Sequence, residues 1–118
     1  MSYNATLLPC LIASGGSLSA PCSPGGEYSL VGIAFPASWT AADITFQVSF
    51  NGVVWHELRD DAGTPIQKTV TAGQYREYDS SEFKSAIYLK IRSGTVDSPV
   101  NQTADRTLTV ACRRYMPR

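Results

Sequence analysis

The stretch Ile44-Thr45-Phe46-Gln47-Val48-Ser49-Phe50-Asn51-Gly52-Val53-Val54-Trp55-His56-Glu57-Leu58 decides the fold class. Ile44, Phe46, Val48 and Phe50 alternate with polar or small residues. A period of two places such a set on one face of a β-strand. Asn51-Gly52 then offers the positive φ angles of a tight hairpin turn, and Val53–Leu58 reads as the returning strand. The expected unit is a half-buried antiparallel hairpin. It specifies a sheet and no chemistry.

Similar signals flank it. Tyr28–Phe35 is a strand whose alternation slips at Val31-Gly32, where a glycine predicts a β-bulge. Pro36 ends it, and residues 37–42 form a turn around Trp39. After the hairpin come a polar loop at 60–65, a short strand at 66–71, a turn at 72–74 and a short strand at 75–78. Asp79-Ser80-Ser81-Glu82 has the spacing of a capping box and predicts one helical turn carrying Phe83. Ile87–Arg92 alternates with Ile87, Leu89 and Ile91 inward. A long loop at 93–105 precedes a last strand, Arg106–Arg113, with Leu108, Val110 and Cys112 on one face. Short strands separated by turn residues predict a single-domain, all-β antiparallel sandwich of about seven to eight strands, jelly-roll or galactose-binding-like. A barrel is the structural alternative.

The N-terminal part reads differently. Residues 1–13 read as an apolar arm or an edge strand, since Pro9 within the run Leu7–Ala13 excludes a central strand. Ser14–Gly26 is rich in Ser, Gly and Pro and reads as a loop. The expected division is an arm and loop over 1–26 and a sandwich over 27–118. The arm is expected to meet neighbouring subunits through Leu7, Leu8, Leu11 and Ile12, adding a strand to a neighbour's sheet edge. Arg113 and Arg114, near Arg118, form a basic terminus and a second docking candidate.

With 118 residues the chain is one domain, and its 10 basic and 10 acidic residues leave a net charge of zero. Affinity for nucleic acid rests on neutralising phosphates, so a nucleic-acid binder is not expected, nor a membrane-surface protein. Near-neutral proteins associate readily, which suits a homo-oligomer. The first apolar run lacks a basic n-region, so no signal peptide is expected. No run reaches the ~20 residues of a membrane helix. The expected site of synthesis is the cytoplasm, where Cys10, Cys22 and Cys112 stay free thiols; a Cys10–Cys22 bridge is the alternative. Asn4-Ala5-Thr6 and Asn101-Gln102-Thr103 match a glycosylation pattern and, with no secretory signal, read as chance.

No reactive constellation is legible. His56 is the only histidine and lies on a strand, where a cross-strand role is expected rather than a base. The cysteines lack CxxC spacing, so no zinc site is expected. Asp60-Asp61 reads as an acidic loop rather than a calcium site. Neither a nucleophile elbow nor a phosphate-cradling loop occurs. No catalytic residue, metal or cofactor is therefore expected. Trp39, Trp55 and Tyr78 are the candidates for stacking a sugar; the competing role for the tryptophans is filling the core.

Pro36-Ala37-Ser38-Trp39 leading into Ile44–Trp55, then Tyr88-Leu89-Lys90-Ile91-Arg92-Ser93-Gly94, then Pro99-Val100-Asn101-Gln102 with Asp105-Arg106, resembles small virion proteins of tailed bacteriophages over about residues 29–112. The strand–Asn-Gly–Trp part is also similar to galactose-binding-like, discoidin-type sandwiches. The Ser- and Pro-rich N-terminal third departs from both. The first resemblance implies a non-enzymatic decoration, spike-base or adaptor subunit. Its expected partners are a major capsid protein or fibre and tail subunits, and it would be made in the host cytoplasm and carried on the virion. The alternative expectation is a carbohydrate-binding module at the tail tip or on a head fibre, using exposed aromatics, with a host glycan as ligand.

Overall fold

The computed structural model describes residues 5–114. Its seven strands are β1 (Ala5–Ile12), β2 (Tyr28–Ala34), β3 (Ile44–Ser49), β4 (His56–Glu57), β5 (Tyr75–Glu77), β6 (Tyr88–Ser93) and β7 (Arg106–Arg114). A single 3₁₀ turn, Ser80–Phe83, interrupts them. One sheet has the order β1-β7-β2-β5 and the other β4-β3-β6, and every pairing is antiparallel.

Side chains from both sheets meet in one core. Cys10, Ile12, Leu30, Ile33, Leu108, Val110 and Cys112 come from the first sheet, and Ile44, Phe46, Val48, Leu89 and Ile91 from the second. Phe83 closes one side, its ring edge-on to Phe46 with centroids 4.9 Å apart. Full burial of one such side chain contributes roughly 1.5–3 kcal/mol. The 3₁₀ turn that delivers Phe83 is capped by Asp79, whose carboxylate accepts from the Ser81 amide at 3.0 Å. Glu82 does not reach back to complete a capping box; it pairs with Lys68. The bulge expected in β2 is present: the register with β7 shifts between Leu30 and Gly32, so Leu30 and Ile33 both point inward. Tyr75 lies across Gly32 on the outer face, where a Cβ would sit 2.1 Å from its hydroxyl.

The hairpin departs from expectation. β3 and β4 pair only through Gln47↔Glu57 and Val48↔His56, leaving a wide loop over residues 49–55. Phe50 is 62% exposed and does not continue the inward row of Ile44, Phe46 and Val48. Local side-chain acceptors outcompete the ladder here. Ser49 Oγ accepts from the Gly52 amide at 2.8 Å, and Asn51 Oδ1 from the Val53 and Val54 amides at 2.9 and 3.0 Å. Gly52 takes φ +77°, so Asn-Gly does turn the chain, but within an Asx turn rather than a two-residue hairpin.

Of the two forms expected for the N-terminal segment, arm or edge strand, the described residues take the second: β1 pairs with β7 through eight consecutive residues, from Ala5↔Arg113 to Ile12↔Arg106. Pro9 does keep β1 at the sheet edge, as expected. That edge is poorly suited to adding a neighbour's strand, because Pro9 has no N–H and the Leu11 carbonyl already accepts from the Ala20 amide at 2.9 Å. The Ser/Gly/Pro-rich stretch that follows is pinned along β6. Ser19 and Cys22 donate to Ile91 and Leu89 carbonyls at 2.9 and 2.8 Å, and Ser93 donates to Ser17 at 2.7 Å.

All three thiols are free and buried. Hydrogen bonding to Cys10 and burial raise the Cys22 thiol, and burial pushes Cys112 up to about 11. Hydrogen bonding to Cys22 and Ser19 lowers the Cys10 thiol despite its burial. Access therefore decides reactivity: with the three residues only 0–6% exposed, a thiol reagent at pH 8 will label no cysteine of the native protein within minutes and all three in 6 M guanidinium; prompt native labelling would contradict this packing.

Candidate functional site: an apolar loop on a braced sheet

The residues 50–54 loop presents Phe50, Val53 and Val54 to solvent at 62%, 78% and 54% exposure. Scattered exposed aliphatics are ordinary; three large ones on one short loop are a patch. The loop is not slack, because Ser49 and Asn51 hold four of its amides. At its base the Lys90 ammonium lies 4.4 Å from the Trp55 ring centroid, a cation–π contact. The Phe50 and His56 rings lie 6.4 Å apart.

Beneath the loop, the outer face of β3, β4 and β6 is tied by charge. Arg92 grips Glu57 with two hydrogen bonds of 2.6 and 2.7 Å, Gln47 adds one of 2.7 Å to the same carboxylate, and Arg92 reaches Thr45 at 3.3 Å. Bidentate charge-assisted pairs are the stronger kind, and they fix geometry. The Arg92 guanidinium, with Gln47, holds the Glu57 carboxyl below its ordinary 4.5, and Glu57 raises Arg92. A carboxyl depressed in the folded state adds stability above its unfolded pKa and loses it as pH falls through the folded value. Wild-type protein should therefore lose stability below about pH 4.5, and Glu57→Gln should flatten that part of the profile while costing about 1–2 kcal/mol at pH 7. Urea midpoints measured from pH 2.5 to 7 check both.

A second brace lies between the loops at the other end of the strands. Gln102 is fully buried. Its carbonyl accepts from the Thr40 amide at 2.9 Å, and its amide donates to the Thr40 carbonyl at 3.1 Å and Ser93 Oγ at 2.8 Å. Arg106, also buried, donates to Gln102 Oε1, Ser38 Oγ and Thr103 Oγ1 at 3.3, 3.1 and 3.1 Å. These groups are committed to holding loops in place.

The residues singled out from sequence are dispersed. Leu7 and Leu11 lie exposed on the outer face of β1, Leu8 is half-buried and Ile12 is in the core, so these four do not form one contact surface. Arg113 is exposed, and Arg114 bonds Glu27 at 3.1 Å. Trp39 is buried against Phe35, and its indole N–H donates to the Ala42 carbonyl at 3.2 Å, so it offers no face to a sugar. Tyr78 is half-buried with its hydroxyl pushed up to about 12 by desolvation, and Trp55 has Lys90 on its ring. Of the three aromatics, Trp39 is closed to a sugar, and Trp55 and Tyr78 are each only partly exposed.

Asp60 accepts from the Ala62 and Thr64 amides at 2.9 Å, shaping its own turn. Among the described residues no group of three His, Cys, Asp or Glu is placed to hold a metal ion. A pocket of about 160 Å³ opens beside the start of β2, lined by Gly26, Tyr28, Ser29 and Lys84. Sequence patterning places residues 49–55 in a hairpin and gives Gln102 and Arg106 only as members of a motif of resemblance, so neither the exposed loop nor the bracing role is legible there. The signal for the loop is Val53-Val54-Trp55, three consecutive apolar residues that break the period of two.

No family model matches this chain, and neither curated proteins nor solved structures gave a significant match.

Proposed function

We propose that this chain is a non-enzymatic structural subunit of a tailed-phage virion, associated with the capsid as a decoration or spike-base protein and acting through contacts between subunits. The observation that carries this is the preorganised loop that holds Phe50, Val53 and Val54 out in water. Exposing apolar side chains is unfavourable in isolation, and locking them in place reduces the ordering cost of docking. The most strongly braced polar groups, Glu57, Arg92, Gln102 and Arg106, are engaged in holding strands and loops, as befits a scaffold. Charge balance suits close association.

The strand order supports a finer reading of the fold as a jelly roll. Counting the bridged segment 17–22 as a strand beside β6, successive strands alternate between two four-stranded sheets, β1-β7-β2-β5 and (17–22)-β6-β3-β4, at every step but β3 to β4, which are neighbours in one sheet. That interleaving is the double Greek key found in viral capsid and lectin domains. Together with the motif resemblance over residues 29–112, it favours the virion over the glycan reading, whose Trp39 is sealed in the core.

The test is compositional. Particles purified from the producing host should carry this protein at a fixed copy number. Val53→Asp with Val54→Asp should leave the fold intact and lower incorporation at least tenfold. Absence of the chain from purified particles sinks the proposal.

A further inference from the structure

We infer that copies of this chain bind one another by inserting Phe50 of one into the Gly26/Tyr28/Lys84 pocket of the next. The knob is a single aromatic ring, 62% exposed, on a loop whose residues 49–55 carry no charge. The pocket has a volume of about 160 Å³. A space of roughly 150 Å³ accommodates a benzene ring.

The lining suits a phenyl group. Tyr28 offers an aromatic wall, and Lys84 a cation that can lie over a ring face. Gly26 leaves room, since a Cβ there would meet nothing within 4 Å. Three features argue for a second copy as the occupant: the match of ring to volume, the cation that complements the ring's electron-rich face, and the lack of charge on the loop, which avoids like-charge repulsion between copies.

Knob and pocket also lie at the same end of the molecule. Ser49 pairs with Tyr88 at the start of β6, and the Gly25 amide, beside the pocket, donates to the Ile87 carbonyl at 3.3 Å. Copies joined in this way form a ring or two-fold pair where the rotation between them closes, and a filament where it does not.

The inference deepens the reading of the chain as an assembly subunit, but it is tested on purified protein alone. Its failure would leave contacts with other virion proteins standing. Sedimentation equilibrium from 5 µM to 0.5 mM should show wild-type protein associating. Phe50→Ser removes the knob, and Gly26→Trp fills the pocket without a backbone clash. Each variant alone should weaken association at least tenfold with unchanged circular dichroism. Mixing the two should restore a complex containing one copy of each, because the first keeps a pocket and the second a knob. Lys84→Glu should weaken association independently. A wild-type monomer at 0.5 mM, association insensitive to Phe50→Ser or Gly26→Trp, or a mixture that stays monomeric would overturn the inference.

Discussion

A chain beginning at residue 27 will not fold. The deletion removes β1, and with it Cys10 and Ile12 from the core and one of the two strands paired with β7, which keeps only β2. It uncovers Leu108, Val110 and Cys112 on β7, whose inward faces β1 helps to cover. It also strips the segment that satisfies Leu89, Ile91 and Ser93 along the edge of β6. Buried aliphatics contribute roughly 1.5–3 kcal/mol each, and a domain of this size is stable by only about 5–15 kcal/mol. The loss exceeds that margin. Far-ultraviolet circular dichroism of the truncated protein should show no cooperative thermal transition. A folded, cooperative fragment 27–118 would show that β1 is a detachable arm after all.

Gln102→Leu should be the most damaging single substitution on this side of the molecule. Leucine matches the volume and supplies none of the polarity. The Thr40 amide, the Thr40 carbonyl, Ser93 Oγ and Arg106 Nε all lose their partner in a place without ready access to water. A buried polar group left unsatisfied costs about 1–3 kcal/mol, and networks lose more than their single bonds. Some groups will find new partners, so about 3–5 kcal/mol is expected. At a urea m-value of about 1–3 kcal/mol/M the midpoint should fall by roughly 2 M. Because Gln102 also joins the turn after Ser14 through its backbone bonds to Gly15 and Gly16, the loosened region should include residues 13–16 as well as 38–42. Hydrogen exchange would show whether both accelerate together; exchange unchanged at Thr40 would contradict the bracing role.

The parts of the fold legible in the sequence are those set by near neighbours. The inward rows Ile44-Phe46-Val48, Leu89-Ile91 and Leu108-Val110-Cys112 follow from a period of two and lie in the core. The bulge at Val31-Gly32 follows from one slip in that period, and the helical turn carrying Phe83 from the Asp79 cap. The hairpin departs from the period-two pattern for an equally local reason. Ser49 and Asn51 compete for the turn amides, and that contest is invisible to apolar patterning.

The candidate site was less legible because its members are made by distance. Phe50 reads as the last residue of an inward row until the ladder is seen to stop at Ser49. Trp39 and Trp55 look alike in sequence; only packing puts one against Phe35 in the core and the other beneath Lys90 at the loop base. Gln102 sits in a long polar loop whose motif assigns it no structural role, and that role depends on Thr40, 62 positions away.

By itself, then, the sequence determined that this is an all-β antiparallel protein with balanced charge, because alternation and turn residues act within a few bonds. The tertiary structure alone decided that the N-terminal segment pairs with β7 of its own chain, that a charge-free loop stands out in water, and which buried polar groups brace the ends. Strand partnership and polar satisfaction depend on residues that meet across the molecule, and no local rule carries that information.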